Sequence, residues 1–150
     1  MRTLDDKVVI VTGGSSGIGR AAARAFAEQG ARVIVTGRRA APLDEAVAEH
    51  PNIAALVADV AEPGDAARTV AAAVVTWGRL DVLVNNAGTG AILPLADITA
   101  DRIGEIFAVS VLGPSLLARA ALPHLIAAQG SIMNVSSTFG HKAAAGLSHY

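Results

Sequence analysis

The sequence predicts an α/β fold, a doubly wound parallel sheet with helices on both faces, and three observations carry that expectation. Short apolar runs alternate with alanine-rich stretches of helical period along nearly the whole chain. Gly, Pro, Asp and Asn punctuate the junctions between them. The most polar junctions come after the apolar runs, so the carboxyl ends of parallel strands would gather them into one crevice. Runs such as Val8-Val9-Ile10-Val11 are apolar throughout rather than alternating, as expected for strands buried on both faces.

The first strand is expected over residues 7–12. It leads into Thr12-Gly13-Gly14-Ser15-Ser16-Gly17-Ile18-Gly19 and then a helix over 17–29, closed by Gly30. Glycine in such a turn accepts positive φ and, lacking a Cβ, lets a bulky diphosphate approach the backbone. The helix then aims its unpaired amides and the positive end of its dipole at that anion. The same turn also occurs as an ordinary tight connection, so the surrounding chain has to decide.

A second strand, rich in branched residues, follows over 32–36, then the turn Gly37-Arg38-Arg39. Pro42 near a helix start, with Asp44 and Glu45 in the first turn, opens a helix that ends near His50-Pro51. The third strand is expected over 53–58, its turn over 59–63, the third helix over 64–77, and a fourth strand over 82–84. Asn85-Asn86-Ala87-Gly88 comes next, and the loop to Ala96, with Gly90 and Pro94, is irregular. Thr99 or Asp97 caps a long helix that reaches about Ala128 and is apolar on most of its circumference. Such a helix needs cover on two sides, from the sheet and from something else, for which a second subunit is the simplest candidate. The expectation is therefore a homo-oligomer, a dimer or tetramer, packed through residues 100–128. A fifth strand is expected over 131–136, and 137–150 is a loop whose last residues begin another helix. Right-handed crossovers between five such strands give the order 3-2-1-4-5, with a crevice above the first and fourth.

Composition excludes several function classes. The 150 residues are 52% apolar, enough for one substantial core and one globular domain over 1–150. Twelve basic and 13 acidic residues are spread along the chain, and one Trp, one Tyr and three Phe offer little to stack on bases. No nucleic-acid partner is expected. Cysteine is absent, and His50, His124, His141 and His149 lie scattered without carboxylates at ligand spacing, so no metal is expected. Arg2, Asp5, Asp6 and Lys7 argue against a signal peptide. The most apolar segment, 106–118, lies between Glu105 and Arg119 and is shorter than the roughly 20 residues that cross a bilayer. A cytoplasmic protein without a membrane partner is expected.

Thr12-Gly13-x-x-x-Gly17-Ile18-Gly19, Asp59-Val60, Asn85-Asn86-Ala87-Gly88, and Ser137 followed thirteen positions later by Tyr150 together resemble the signature set of the classical short-chain dehydrogenases/reductases. The resemblance covers the whole chain and implies a Rossmann fold that binds a nicotinamide dinucleotide. It implies that Gly13, Ser15, Ser16, Gly17, Ile18 and Gly19 form the diphosphate turn and that Asp59, with Val60, holds the adenine edge. Asn86, Ala87 and Gly88 would support the central strand and line the cofactor cleft. Tyr150 would be the general acid/base, and Ser137 would polarise and position the substrate oxygen.

Charge decides the cofactor. An acidic residue at the end of the second strand would accept both ribose hydroxyls of NAD and repel an added phosphate. Thr36-Gly37 stands there instead, and Arg38-Arg39 follows. A guanidinium fork matches a phosphate in two-point geometry, so NADP(H) is preferred, with NAD(H) left open. The competing reading makes both arginines solvated turn charges.

Carbonyl reduction needs a hydride on carbon and a proton on oxygen, so a donor must lie within hydrogen-bond reach of that oxygen. A phenol with a pKa of about 10 is almost wholly protonated at neutral pH. In the resembling family a lysine four residues beyond the tyrosine lowers it. The sequence reaches Tyr150, so the expectation is the first half to three-fifths of such an enzyme, truncated before that lysine and not competent alone. A naturally short relative that binds cofactor without turnover is the other reading.

The family's long helix commonly carries an asparagine whose backbone carbonyl holds a water of the proton relay, and Ser110 stands there. Pro114, four residues on, has no N–H to offer the Ser110 carbonyl, so it either preserves the water site or simply kinks the helix. Thr89, Ala91, Ile92, Thr138 and Phe139 are expected to border the substrate, and their small or apolar character points to a hydrophobic alcohol or ketone. His149 could touch it too. The expected function is NADP(H)-dependent interconversion of an alcohol and a ketone or aldehyde. A non-catalytic dinucleotide-binding module and a nucleotide-sugar dehydratase or epimerase are the alternatives.

Overall fold

The structure, a computed structural model, describes residues 4–90, 92–142 and 144–147. Five strands, β1 (Val8–Thr12), β2 (Arg32–Gly37), β3 (Ile53–Val57), β4 (Val82–Asn85) and β5 (Ser131–Asn134), form one sheet in the order β3-β2-β1-β4-β5. Every pairing is parallel. The crossovers are α1 (Gly17–Glu28), α2 (Ala40–Ala48), α3 (Pro63–Trp77), and a helical run made of α4 (Ala100–Phe107), a π turn (Ala108–Leu112) and α5 (Gly113–Ala128).

β1 shows why its sequence is apolar at every position. Val8 and Ile10 enter a core formed with α3 and α5, through Val70, Ala73, Leu117 and Leu125. Val9 and Val11 enter a second core formed with α1 and α2, through Ala23, Ala27, Leu43 and Ala46. Alternate residues therefore serve opposite faces of the sheet, as the two-residue period of a strand requires. Along α1, Gly19, Ala23 and Ala27 are the buried positions, four residues apart and small enough to bring the helix close to the strands.

Most predicted boundaries move by one or two residues. β5 is the larger correction, because its pairing with β4 ends at Asn85 and Asn134, short of the expected Ser136. The predicted long helix is the other correction, since it contains a π turn in which the Gly113 N–H donates to the Ala108 carbonyl, five residues back. Pro114 follows at once and brings no N–H of its own. Thr99 is the cap, its hydroxyl accepting from the Arg102 N–H, while Asp97 sits in a preceding 3₁₀ turn (Leu95–Asp97).

As one helical run of 29 residues, Ala100–Ala128 is long and apolar enough by length and composition to cross a membrane. The helical run is thus longer than the apolar segment 106–118 alone. In this fold the run lies on the sheet, with Leu117, Ala121 and Leu125 buried in the α3 core. Its other face, including Phe107, Val111, Leu122 and Ile126, is exposed, as are all four residues of β5. The helix expected to begin at the end of the sequence lies outside the described residues. The preceding loop contains one 3₁₀ turn, Thr138–Gly140.

Candidate functional site

The turn after β1 is built by an exchange with the turn after β4. The Thr12 hydroxyl accepts from the N–H groups of Asn86 and Ala87, both at 3.0 Å, and donates to the Val84 carbonyl at 3.3 Å. The Asn86 side-chain amide returns a bond of 2.9 Å to the Thr12 carbonyl and one of 3.3 Å to that of Gly13. Gly13 has φ +65°, and a Cβ there would stand 2.9 Å from the Ala87 Cα. Gly19 answers to space rather than to φ: a Cβ would meet the Gly13 carbonyl oxygen at 2.3 Å and the Asn86 amide at 2.4 Å. The glycine turn and the Asn-Asn-Ala-Gly turn are thus two halves of one unit, with the start of α1 against it.

A cleft opens over these turns as two adjoining cavities that share Ile18, Asn86, Ala87, Gly88 and Thr89. The first, about 570 Å³, has Gly13, Ser15, Ser16 and Gly17 on one wall and Arg38, Arg39, Asp59 and Val60 on the other. The second, about 680 Å³, is bordered by Ser110, Val111, Pro114, Ser115, Ser136 and Ser137. Of the cofactor-binding and catalytic residues proposed from the sequence and described by the structure, only Gly19 lies behind the cleft rather than on it, buried under the turn. Tyr150, His149 and Ala91 lie outside the described residues. Thr89 borders the second cavity, whereas Ile92, Thr138 and Phe139 do not line it.

The electrostatics of the first cavity are positive where a phosphate would enter. No acidic residue stands in the first turn of α1. Arg38 and Arg39 are exposed, and among the described residues neither pairs with a carboxylate. Arg20, by contrast, is spent on Glu45 of α2 and on Glu49 just after it, at 3.0 and 2.9 Å. These features, together with the Gly13 and Gly19 positions that a Cβ would fill, suit the diphosphate of a dinucleotide.

In the second cavity the Ser137 hydroxyl accepts from the Phe139 N–H at 3.2 Å, which caps the 3₁₀ turn and leaves its own proton to donate. Ser110 and Pro114 border the same space. Sequence reasoning gave no individual role to two groups, Asn85 at this cavity and Asp65 beside Asp59 of the first. Asn85 donates from its side chain to the Asn134 side-chain oxygen at 2.9 Å, between β4 and β5, and its own buried oxygen has no partner among the described residues. Asp65 accepts the Asp59 N–H at 2.7 Å. Its bond to Arg68, and then the one from Asp59, hold its carboxyl below the usual range. The three-residue spacing of Asp65 and Arg68 was the only visible signal.

The family model for short chain dehydrogenases matches residues 7–150. The chain is 38% identical over 157 residues to an uncharacterized oxidoreductase of Mycobacterium tuberculosis, covering 100% of this chain and 59% of that protein. It is 37% identical over 143 residues to the cis-2,3-dihydrobiphenyl-2,3-diol dehydrogenase of a Pseudomonas species, covering 91% of this chain and 52% of the relative. A solved short-chain dehydrogenase from Streptomyces avermitilis superposes with a TM-score of 0.91 at 39% identity, over 97% of this chain and 54% of that one. The chain spans between half and three-fifths of the length of these relatives.

Proposed function

The chain belongs to the short chain dehydrogenase family, and from that premise we propose that the whole protein is an NADP(H)-dependent oxidoreductase that interconverts an alcohol and a ketone or aldehyde. Family membership carries the dehydrogenase/reductase role and a nicotinamide cofactor. The preference for NADP(H) rests on one observation: two exposed arginines without carboxylate partners, Arg38 and Arg39, line the cavity after β2, where Gly37 leaves no acid to repel a phosphate.

When bound, the dinucleotide supplies or takes up a hydride. The backbone of Gly13, Ser15, Ser16, Gly17 and Ile18, at the start of α1, would hold its diphosphate. Arg38 and Arg39 would hold the added phosphate, and Asp59 with Val60 would face the adenine. Asn86, Ala87 and Gly88 would form the floor where the two cavities meet. Ser137 would donate its hydroxyl proton to the substrate oxygen, and Tyr150 would give or take the proton that completes the reaction. The Ser110 carbonyl, whose donor four residues on is replaced by Pro114, would hold a water of the relay. The exposed faces of the run Ala100–Ala128 would be covered in a homo-oligomer.

Exchanging Arg38 for Asp in the full-length protein is expected to raise the KM for NADPH strongly while leaving that for NADH unchanged or lower. Equal effects on both cofactors defeat the assignment.

A further inference from the structure

We infer that Asp65 and Arg68 form a brace across the turn after β3, and that they are positioning residues for the adenine end of the cofactor; the inference rests on the dinucleotide reading of the cleft. β3 is an edge strand, paired on one side only, with β2. Its last ladder bond toward β2 runs from the Ala58 N–H to the Gly37 carbonyl, at 3.0 Å. Because successive residues of a strand turn their backbone polar groups to opposite sides, the groups of Val57 and Asp59 point away from β2, where no strand among the described residues receives them.

The brace receives two of them. Arg68 donates to the Val57 carbonyl at 2.8 Å and to one Asp65 oxygen at 2.7 Å, and the other Asp65 oxygen accepts the Asp59 N–H at 2.7 Å. Val57, Arg68, Asp65 and Asp59 thus close a ring over Ala58. The Asp59 carboxylate is oriented by the same turn: one oxygen accepts the Ala61 N–H at 3.0 Å, and no side chain among the described residues takes the other. Ala58, Asp59 and Val60 all line the nucleotide cavity. The pair is internally neutral, so it orders the turn without adding net negative charge beside a phosphorylated ligand.

A brace that serves only the fold would matter equally to every ligand of the cleft, whereas a positioning role is confined to the adenine end. The test uses the full-length protein and three probes: NADPH, adenosine 2′,5′-bisphosphate, and reduced nicotinamide mononucleotide, which lacks the adenosine half. Asp65→Ala is expected to weaken NADPH and the bisphosphate each about tenfold, the scale of one charge-assisted hydrogen bond. Binding of the mononucleotide should stay at the wild-type value. Asp65→Asn, which keeps a neutral acceptor for the Asp59 N–H, should recover most of the loss, and Arg68→Gln should reproduce part of it. Unchanged NADPH affinity in Asp65→Ala overturns the inference, as does an equal loss for the adenosine-containing and adenosine-free probes. If Asp65→Ala does not fold, Asp65→Asn and Arg68→Gln carry the same comparison. Failure of the wild-type protein to bind either NADPH or NADH overturns the dinucleotide reading itself and the brace with it.

Discussion

At the scale of single residues, a buried carboxylate with three partners lies at the end of the sheet opposite the cleft. Asp81, just before β4, is almost wholly buried and accepts from Lys7 at 3.0 Å, from Arg79 at 2.6 and 2.8 Å, and from the Val8 N–H at 3.0 Å. Burial pushes its carboxyl up, but Arg79, the Val8 N–H and Lys7 together outweigh burial and hold it below the usual range. A carboxyl whose folded pKa is depressed contributes stability that is complete above its unfolded value, about 3.9, and is lost as pH falls through the lower folded value. Asp81→Asn should therefore cost roughly 1–3 kcal/mol at neutral pH. The gap between wild type and variant should close as pH is taken below about 4. Urea unfolding at several pH values measures it, and a gap that does not change with pH counts against this account. Arg79 and Asp81 are two positions apart, but Lys7 is 74 positions away and becomes a partner only because β1 and β4 are neighbours. Gly13 and Gly17, by contrast, were legible, because the backbone geometry of a tight strand-to-helix turn is nearly a property of the residue type.

At the scale of elements, the run Ala100–Ala128 separates what periodicity can show from what it cannot. Its helical character, its Thr99 cap and its apolar face are local properties, and the sequence carries them. The π turn is not local in that sense. It coincides with the point where α5 meets the turn after β3: a Cβ on Gly113 would lie 2.5 Å from the Val60 carbonyl oxygen. A Cβ on Gly104, in α4, would meet nothing within 4 Å. Gly113→Ala should therefore destabilise the protein by about 1–3 kcal/mol through overpacking against backbone that cannot rotate away. Gly104→Ala should be neutral or stabilising by up to about 1 kcal/mol, the helix-propensity difference. Thermal or urea unfolding of the two variants side by side checks the contrast, and equal effects contradict the packing argument. The shortened β5 has a similar cause: pairing with β4 ends at Asn85, where that chain leaves the sheet to meet Thr12.

At the scale of the whole molecule, the five-stranded order brings turns that lie far apart in the chain over the ends of β1 and β4. The same order leaves β5 exposed at one edge, and Leu122 and Ile126 of α5 are exposed as well. An open strand edge and an uncovered apolar helix face each favour association between chains. Residues 1–150 on their own are expected to self-associate in sedimentation velocity, and Leu122→Glu with Ile126→Glu should reduce that association. A monomer at all concentrations in the unsubstituted chain would contradict the expectation. What the sequence by itself determined is the alternation of strands and helices, the glycine turns and the placing of polar residues after strands, because these follow from backbone freedom and side-chain period within a few residues. Tertiary structure alone decided which buried polar groups find partners, where the long helix takes its π turn, and how Asp65 and Arg68 come to hold the turn beside the cleft. Those outcomes depend on which strand lies at an edge and on how closely two backbones approach, distances that exist only after the sheet has formed.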